Sequence, residues 1–258
     1  MKDTEYYLKL SLQKLKDVLP EDPNLMLIRY LSKRLWHSMS YDNSKRAYLL
    51  FAWPEAEGAE RIILLVYDDD SIIADMSALH APADALMRSR ELYDLCSEES
   101  DWMYLEHYIF CRWGFGEYPY PYCEEENKSA QPFAGEALLL SNAYVTKAYR
   151  GQGIFSMMES LMREAALRNS TGRQDLYCVF SQDPDVACYG PDSQDEPYYY
   201  NYENDEPARL LNAQIAAHLG YENIRLNEDD PSENKDGTKI CFCIKKENDW
   251  IVETDALS

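Results

Sequence analysis

Positive charge is scarce in this sequence and nowhere concentrated: 25 lysines and arginines stand against 46 aspartates and glutamates in 258 residues, a formal charge of −21. Nucleic-acid-binding modules present a basic patch or stripe to the phosphate backbone, so the lack of any basic run argues against a nucleic-acid partner. Long apolar runs are lacking too. Stretches such as Ile62 to Tyr67 fall far short of the roughly 20 residues that a membrane helix needs. Met1-Lys2-Asp3-Thr4-Glu5 has no following apolar core of the kind a signal peptide carries. The expectation is a cytoplasmic protein with no membrane partner. No C-x-x-C pair occurs, and His37, His80, His107 and His218 stand too far apart to form a short ligand motif, so no metal site is expected. The seven cysteines are odd in number and irregularly spaced, and read as reduced thiols; Cys241 and Cys243, at i and i+2, read as small buried hydrophobes. No internal repeat is present.

What the chain does have is enough apolar and aromatic character, 46 % of residues, for a globular core. Leu8, Leu12, Leu15 and Leu19 recur at helical spacing, Pro20 and Pro23 interrupt, and Leu25, Ile28, Leu31 and Leu35 resume it. Residues 1–39 therefore form an expected N-terminal helical pair. Segments 47–53, 61–67 and 71–79 are rich in β-branched and aromatic residues and predict an antiparallel meander. Asp68-Asp69-Asp70 between the last two is a solvated turn, or else a site that attracts a cationic ligand.

Helical spacing returns with Ala85, Leu86, Leu92 and Leu95, then Trp102, Leu105, Ile109 and Trp113, giving a helical insertion at about residues 80–135. It ends in a loop where tyrosine and proline alternate (Tyr118 to Tyr122), suited to a lid or to surface packing. A strand over 136–146, a glycine turn over 148–153 and a helix carrying Ile154, Met157, Met158, Leu161, Met162 and Ala165 follow, with Gly172 beyond. Next come a strand over 175–180, a long irregular stretch to Glu206, and a helix over 207–219. That helix has Asp205 and Glu206 at its start, Pro207 in its first turn and Gly220 at C′. Strands over 223–226 and 238–245, with Asp236-Gly237 as turn residues, complete the sheet. The fold class is α/β of the α+β type: a mixed, mostly antiparallel sheet flanked by helices, with residues 40–258 as the main domain.

The glycine turn carries the chemistry. A strand that feeds Arg150-Gly151-Gln152-Gly153 into a helix leaves several backbone N–H groups pointing outward at the positive end of the helix dipole. Such a turn can cradle a pyrophosphate, with glycine permitting close approach and Arg150 adding charge. Taken alone, it also serves as an ordinary strand-to-helix connection.

The stretch Leu140-Ser141-Asn142-Ala143-Tyr144-Val145-Thr146-Lys147-Ala148-Tyr149-Arg150-Gly151-Gln152-Gly153-Ile154 resembles the acyl-CoA signature of the GNAT-type N-acetyltransferase superfamily, V-x-P-x-x-R-G-x-G-[IL]. The order of elements after it fits the same family over roughly residues 40–246. The resemblance implies the family's mixed sheet and transfer of an acyl group, acetyl from acetyl-CoA, to a primary amine by direct transfer in a ternary complex. It implies that the backbone of Tyr144 and Val145 pairs with the pantetheine arm, and that amides of Arg150, Gly151, Gln152, Gly153, Ile154, Phe155 and Ser156 hold the CoA pyrophosphate. Strand-like addition of pantetheine and anion capture by a helix N-terminus are both physically reasonable.

Glu136 is the candidate general base, taking a proton from the acceptor ammonium, although a one-residue slip would turn it to the other face. Asn142 is the candidate substrate-orienting residue or else satisfies a buried backbone group. Two positions depart from the family pattern. Phe155 stands where glycine or alanine is usual, and Ala216 stands where the last helix usually has the tyrosine that protonates the CoA thiolate. The Tyr198-Tyr199-Tyr200 and Tyr202 cluster, or water, then has to supply that proton. The acceptor is a small-molecule or protein amine, with an acidic surface that favours cations by steering. Two other readings stay open: a non-catalytic acyl-CoA-binding or interaction module, and a Rossmann-type unit built on Gly151-Gln152-Gly153-Ile154-Phe155-Ser156 with Asp183.

Overall fold

The computed structural model describes residues 4–16, 46–82, 85–86, 89–98, 135–169, 175–181, 202–225 and 241–247. Along the chain these form α1 (Thr4–Lys14), β1 (Arg46–Pro54), β2 (Glu60–Asp68), β3 (Ser71–Pro82), α2 (Arg90–Glu98), β4 (Gly135–Val145), α3 (Ile154–Asn169), β5 (Asp175–Ser181), α4 (Tyr202–His218), β6 (Glu222–Arg225) and β7 (Cys241–Glu247). The strands make one mixed sheet in the order β1-β2-β3-β4-β5-β7-β6. Within it β4 and β5 run parallel, and the other neighbours run antiparallel. The meander expected over 47–79 is present, with β3 extended to Pro82. Among the described residues the sheet has one parallel pair, β4–β5, and not the parallel βαβαβ half that a Rossmann unit requires.

Helices pack on both faces because the central strands are apolar on both. On one face Leu50, Ile62, Leu64, Val66, Leu138 and Leu140 meet Ile154, Met158, Met162 and Ala165 of α3 and Ala216 of α4. On the other, Leu49, Phe51, Ile63, Leu65 and Tyr67 meet Tyr7 and Leu15 at α1. Ser11 of α1 fastens that contact: its hydroxyl lies 2.7 Å from the Tyr67 hydroxyl and donates to the Tyr7 carbonyl at 2.8 Å. The leading helix therefore belongs to the core of the sheet.

Helix α4 begins at Tyr202, five residues before the expected start, so Pro207 lies inside it. Glu203, Asp205 and Glu206 then sit near the positive end of the helix dipole, which favours the longer helix against the one backbone bond that proline removes. Its other end is as expected. Gly220, at φ 85°, is C′, and the Tyr221 N–H reaches the Ala216 carbonyl at 2.9 Å in a Schellman arrangement. The second N-terminal helix, residues 99–134 of the insertion, the tyrosine cluster at 198–200, Asp183 and the 236–237 turn lie outside the described residues.

Two irregularities shape the middle of the sheet. The β3–β4 register shifts between Asp75 and Ser77, so Asn142 and Ala143 together oppose Met76 in a bulge, and Asn142 takes φ 47°. The parallel β4–β5 ladder runs from Gly135↔Asp175 to Leu140↔Phe180, and β4 continues beside β3 for five more residues. The bulge and the end of the parallel ladder coincide at Ser141–Asn142.

Candidate functional site

Past that point β4 leads through a short 3-10 turn (Lys147–Tyr149) and Arg150-Gly151-Gln152-Gly153 into α3. Gly151 and Gly153 both have positive φ, 75° and 76°, and a Cβ added at either would meet nothing within 4 Å. Both positions thus call for glycine on conformational grounds, and the space in front of the turn is open. The first bond of α3 runs from the Met157 N–H to the Gly153 carbonyl at 3.1 Å. The N–H groups of Ile154, Phe155 and Ser156 therefore have no acceptor within the helix. No acidic side chain occupies this first turn, so the dipole's positive end is not neutralised from within.

The side chains around the turn brace it. The Arg150 Nε donates back to the Val145 carbonyl at 2.9 Å, and its guanidinium lies 5.4 Å from the centroid of the Tyr144 ring. Arg150's backbone N–H is engaged as well, at 3.4 Å from the Lys147 carbonyl. Gln152 turns away from the opening: its side-chain carbonyl accepts a hydrogen bond from Arg46 at the start of β1, and its amide nitrogen reaches the Ala148 carbonyl at 3.5 Å. Arg46 also stands 5.7 Å from the Tyr149 ring, and a hydrogen bond to Asp68 raises the Tyr149 pKa. Arg46, 106 residues before Gln152, and Asp68, about 80 residues before Tyr149, were not legible as parts of this turn.

The backbone of β4 alternates between its two neighbours. The Thr146 N–H donates to the Ile73 carbonyl at 2.9 Å, and Ala74 pairs with Val145. The alternation of an antiparallel ladder then aims the Val145 N–H and C=O away from β3, and aims those of Tyr144 toward it. Of the two residues expected to meet pantetheine, Val145 has its peptide groups on the side where the β5 ladder has ended. Tyr144 contributes its ring, under Arg150.

Phe155 and Ala216 have structural explanations. The Phe155 ring packs edge-to-face on Phe180 at 5.9 Å, and Phe180 on Tyr221 at 5.1 Å, so an aromatic row joins α3, the end of β5 and the turn after α4. Ala216 is fully buried in the core beneath these rings. The Tyr221 hydroxyl donates to the buried Glu159 at 2.7 Å, with the Arg163 Nε also 2.7 Å from that carboxylate oxygen. Burial, together with the charges of Cys178 and Glu159, pushes the Tyr221 pKa up, which suits a fixed hydrogen-bond donor.

Glu136 and Asn142 part company. Glu136 is 6 % exposed and sits at the start of β4, where its Oε2 lies 3.0 Å from the His80 Nε2. The Glu60 Oε2 stands 3.7 Å from the other ring nitrogen. Burial would lower the His80 pKa, but the hydrogen bonds and charges of Glu136 and Glu60 outweigh it and hold the imidazole above its usual value. Six residues of strand separate Glu136 from Asn142, about 20 Å. Asn142 lies in the bulge, its amide nitrogen 3.5 Å from the Ser77 hydroxyl, which in turn is 2.9 Å from that of Ser141. Ser77 is the residue here that sequence reading passed over. Among the described residues no helix is long and apolar enough to cross a membrane, and no group of histidine, cysteine, aspartate and glutamate side chains is placed to hold a metal ion. No protein-family model matches this chain and no curated protein matches it.

Proposed function

We propose that this protein is an acyl-CoA-dependent N-acyltransferase of the GNAT type, which moves acetyl from acetyl-CoA to a primary amine. One observation carries the reading: β4 outruns its parallel neighbour β5 by five residues and ends in a turn with two left-handed glycines that opens α3. An extended edge therefore leads directly to an anion-binding helix terminus. Pantetheine presents two amides in an extended chain and suits the first feature; a pyrophosphate suits the second. On this reading Val145 pairs with pantetheine, and the amides of Gly151 to Ser156 hold the pyrophosphate while Arg150, tied to Val145, stiffens the approach. In the ternary complex the neutral amine attacks the thioester carbonyl carbon. The C–N bond forms, the C–S bond breaks, and the CoA thiolate and the acceptor's released proton leave the centre separately.

A second reading, binding of acyl-CoA without transfer, is favoured by the buried Ala216, which leaves α4 without a tyrosine at that position. Calorimetric titration of the full chain with acetyl-CoA, CoA and NAD tests both. Binding of the two CoA species and not of NAD is the expected result, and CoA release on adding amines separates transfer from binding. Failure of either CoA species to bind at millimolar concentration refutes both readings.

A further inference from the structure

The length of β4 that continues past the last rung of the parallel ladder limits what can lie along it. That rung is Leu140↔Phe180, and residues 141–145 beyond it span about 17 Å at the rise of a strand. When the outer amide of pantetheine pairs at Val145, roughly nine bonds separate that amide's carbonyl carbon from the thioester carbon, about 10 Å in an extended chain. About 7 Å then remains before Phe180. An acetyl methyl takes about 1 Å of this and its van der Waals contact about 4 Å, which leaves about 2 Å. One more methylene fits in that space, whereas the four more of a hexanoyl group need about 5 Å.

The side chain at the end of this strip is a braced aromatic ring. Phe180 is 6 % exposed and belongs, with Leu140 beside it, to the apolar face that α3 covers. Phe155 meets its ring at 5.9 Å from the first turn of α3, and Tyr221 meets it at 5.1 Å from the turn after α4. Tyr221 is itself fixed, because its hydroxyl donates to Glu159 at 2.7 Å and Glu159 is paired with Arg163. A ring held edge-to-face by two others in a close-packed core does not swing aside for a longer chain. The opposite face of the sheet offers an alkyl chain no substitute. There Ser77 and Ser141 pair across the strands, with their hydroxyls 2.9 Å apart.

We propose that Phe180 sets the acyl-chain length: the site takes CoA thioesters of two- or three-carbon acyl groups, and the ring excludes medium-chain ones. Phe155 and the Tyr221–Glu159–Arg163 network act as positioning residues that hold the ring in place. This inference rests on the acyl-CoA reading and deepens it by naming the class of thioester. Its test therefore compares ligands that share the whole CoA moiety and differ only in the acyl group.

The full chain is titrated by calorimetry with CoA, acetyl-CoA, propionyl-CoA and hexanoyl-CoA. The wild type is expected to bind acetyl-CoA and propionyl-CoA within about threefold of each other and hexanoyl-CoA at least about tenfold more weakly, since a single misplaced methylene in an apolar pocket already costs roughly tenfold. Phe180→Ala is expected to bring hexanoyl-CoA to within about threefold of acetyl-CoA while leaving CoA itself unchanged. Equal binding of hexanoyl-CoA and acetyl-CoA by the wild type overturns the chain-length limit and leaves the acyl-CoA reading standing. A hexanoyl penalty that persists in Phe180→Ala, or a uniform loss for all four ligands, overturns the role of Phe180. No binding of any CoA species by the wild type overturns the underlying reading instead. Where Phe180→Ala fails to fold, Phe180→Leu keeps an apolar side chain in the core and removes the ring. It is expected to reduce the hexanoyl penalty at least about threefold, and an unchanged penalty there overturns the proposal.

Discussion

The cross-strand cluster of Glu60, His80 and Glu136 makes a prediction about stability that does not depend on the function. Glu136 and His80 are buried and 3.0 Å apart, and Glu60 faces the second ring nitrogen at 3.7 Å. Burial favours the neutral imidazole, yet the two carboxylates together raise the His80 pKa above 6.5. A group whose pKa rises on folding stabilises the native state fully below the unfolded value, about 6.5 for histidine, and that contribution is lost as pH climbs through the folded value. Glu136→Gln keeps the shape and removes the charge. Breaking a buried ion pair by removing one partner costs about 3–5 kcal/mol, which is the loss expected at pH 6. As pH climbs through the folded value the imidazole loses its charge and the difference shrinks toward one hydrogen bond, about 1 kcal/mol. Urea unfolding at pH 6, 7.5 and 9 measures the change, and the His80 ring resonance in NMR reports its titration directly. Equal destabilisation at pH 6 and pH 9, or a resonance that titrates below 6.5, refutes the argument. The same variant is expected to bind acetyl-CoA normally, because Glu136 stands about 30 Å along β4 from Val145.

Three further outcomes follow from the turn and the core. Gly153→Ala costs only the strain of a left-handed alanine, about 1–2 kcal/mol, since its Cβ meets open space, whereas Gly153→Glu adds a carboxylate at the proposed anion site. The glutamate variant should bind acetyl-CoA at least about tenfold more weakly than the alanine variant, as read by calorimetry on folded protein; equal affinities count against the cradle. Phe155→Ala removes the ring that packs on Phe180 and should cost about 1–3 kcal/mol in urea unfolding without weakening acetyl-CoA binding. A weaker affinity there makes Phe155 part of the ligand site. Tyr67→Phe deletes the hydroxyl that meets Ser11 and should cost about 1 kcal/mol, with Ser11 still bonded to the Tyr7 carbonyl. No loss means that α1 is held by apolar contact alone.

What was legible in the sequence is what is decided locally. Gly151 and Gly153 announce the turn because a positive φ is a requirement of the residue itself, and Gly220 ends α4 for the same reason. The strands of the meander are visible as apolar runs, but Ile62 to Tyr67 is buried throughout, and a run buried on both faces carries no alternation from which its facing can be read. Facing depends on register, and register is set between segments. A bulge of one extra residue at Asn142 changes the facing of everything after it, and the only local trace is that asparagine tolerates φ > 0.

Charge is governed by the same division. Arg150 is legible as a cation beside a glycine turn, while its bond to Val145, and the reach of Arg46 to Gln152 across 106 residues, depend on how the turn crosses the end of the sheet. Glu136 shows the consequence most clearly. Its place at the head of β4 is readable, but its meaning depends on His80, which β3 delivers from 56 residues away. Asp75 follows the same rule: the sequence shows one acidic residue inside Ile72-Ile73-Ala74-Asp75-Met76, a strand otherwise suited to burial on both faces, but what its carboxylate meets is set by the segments that pack on β3.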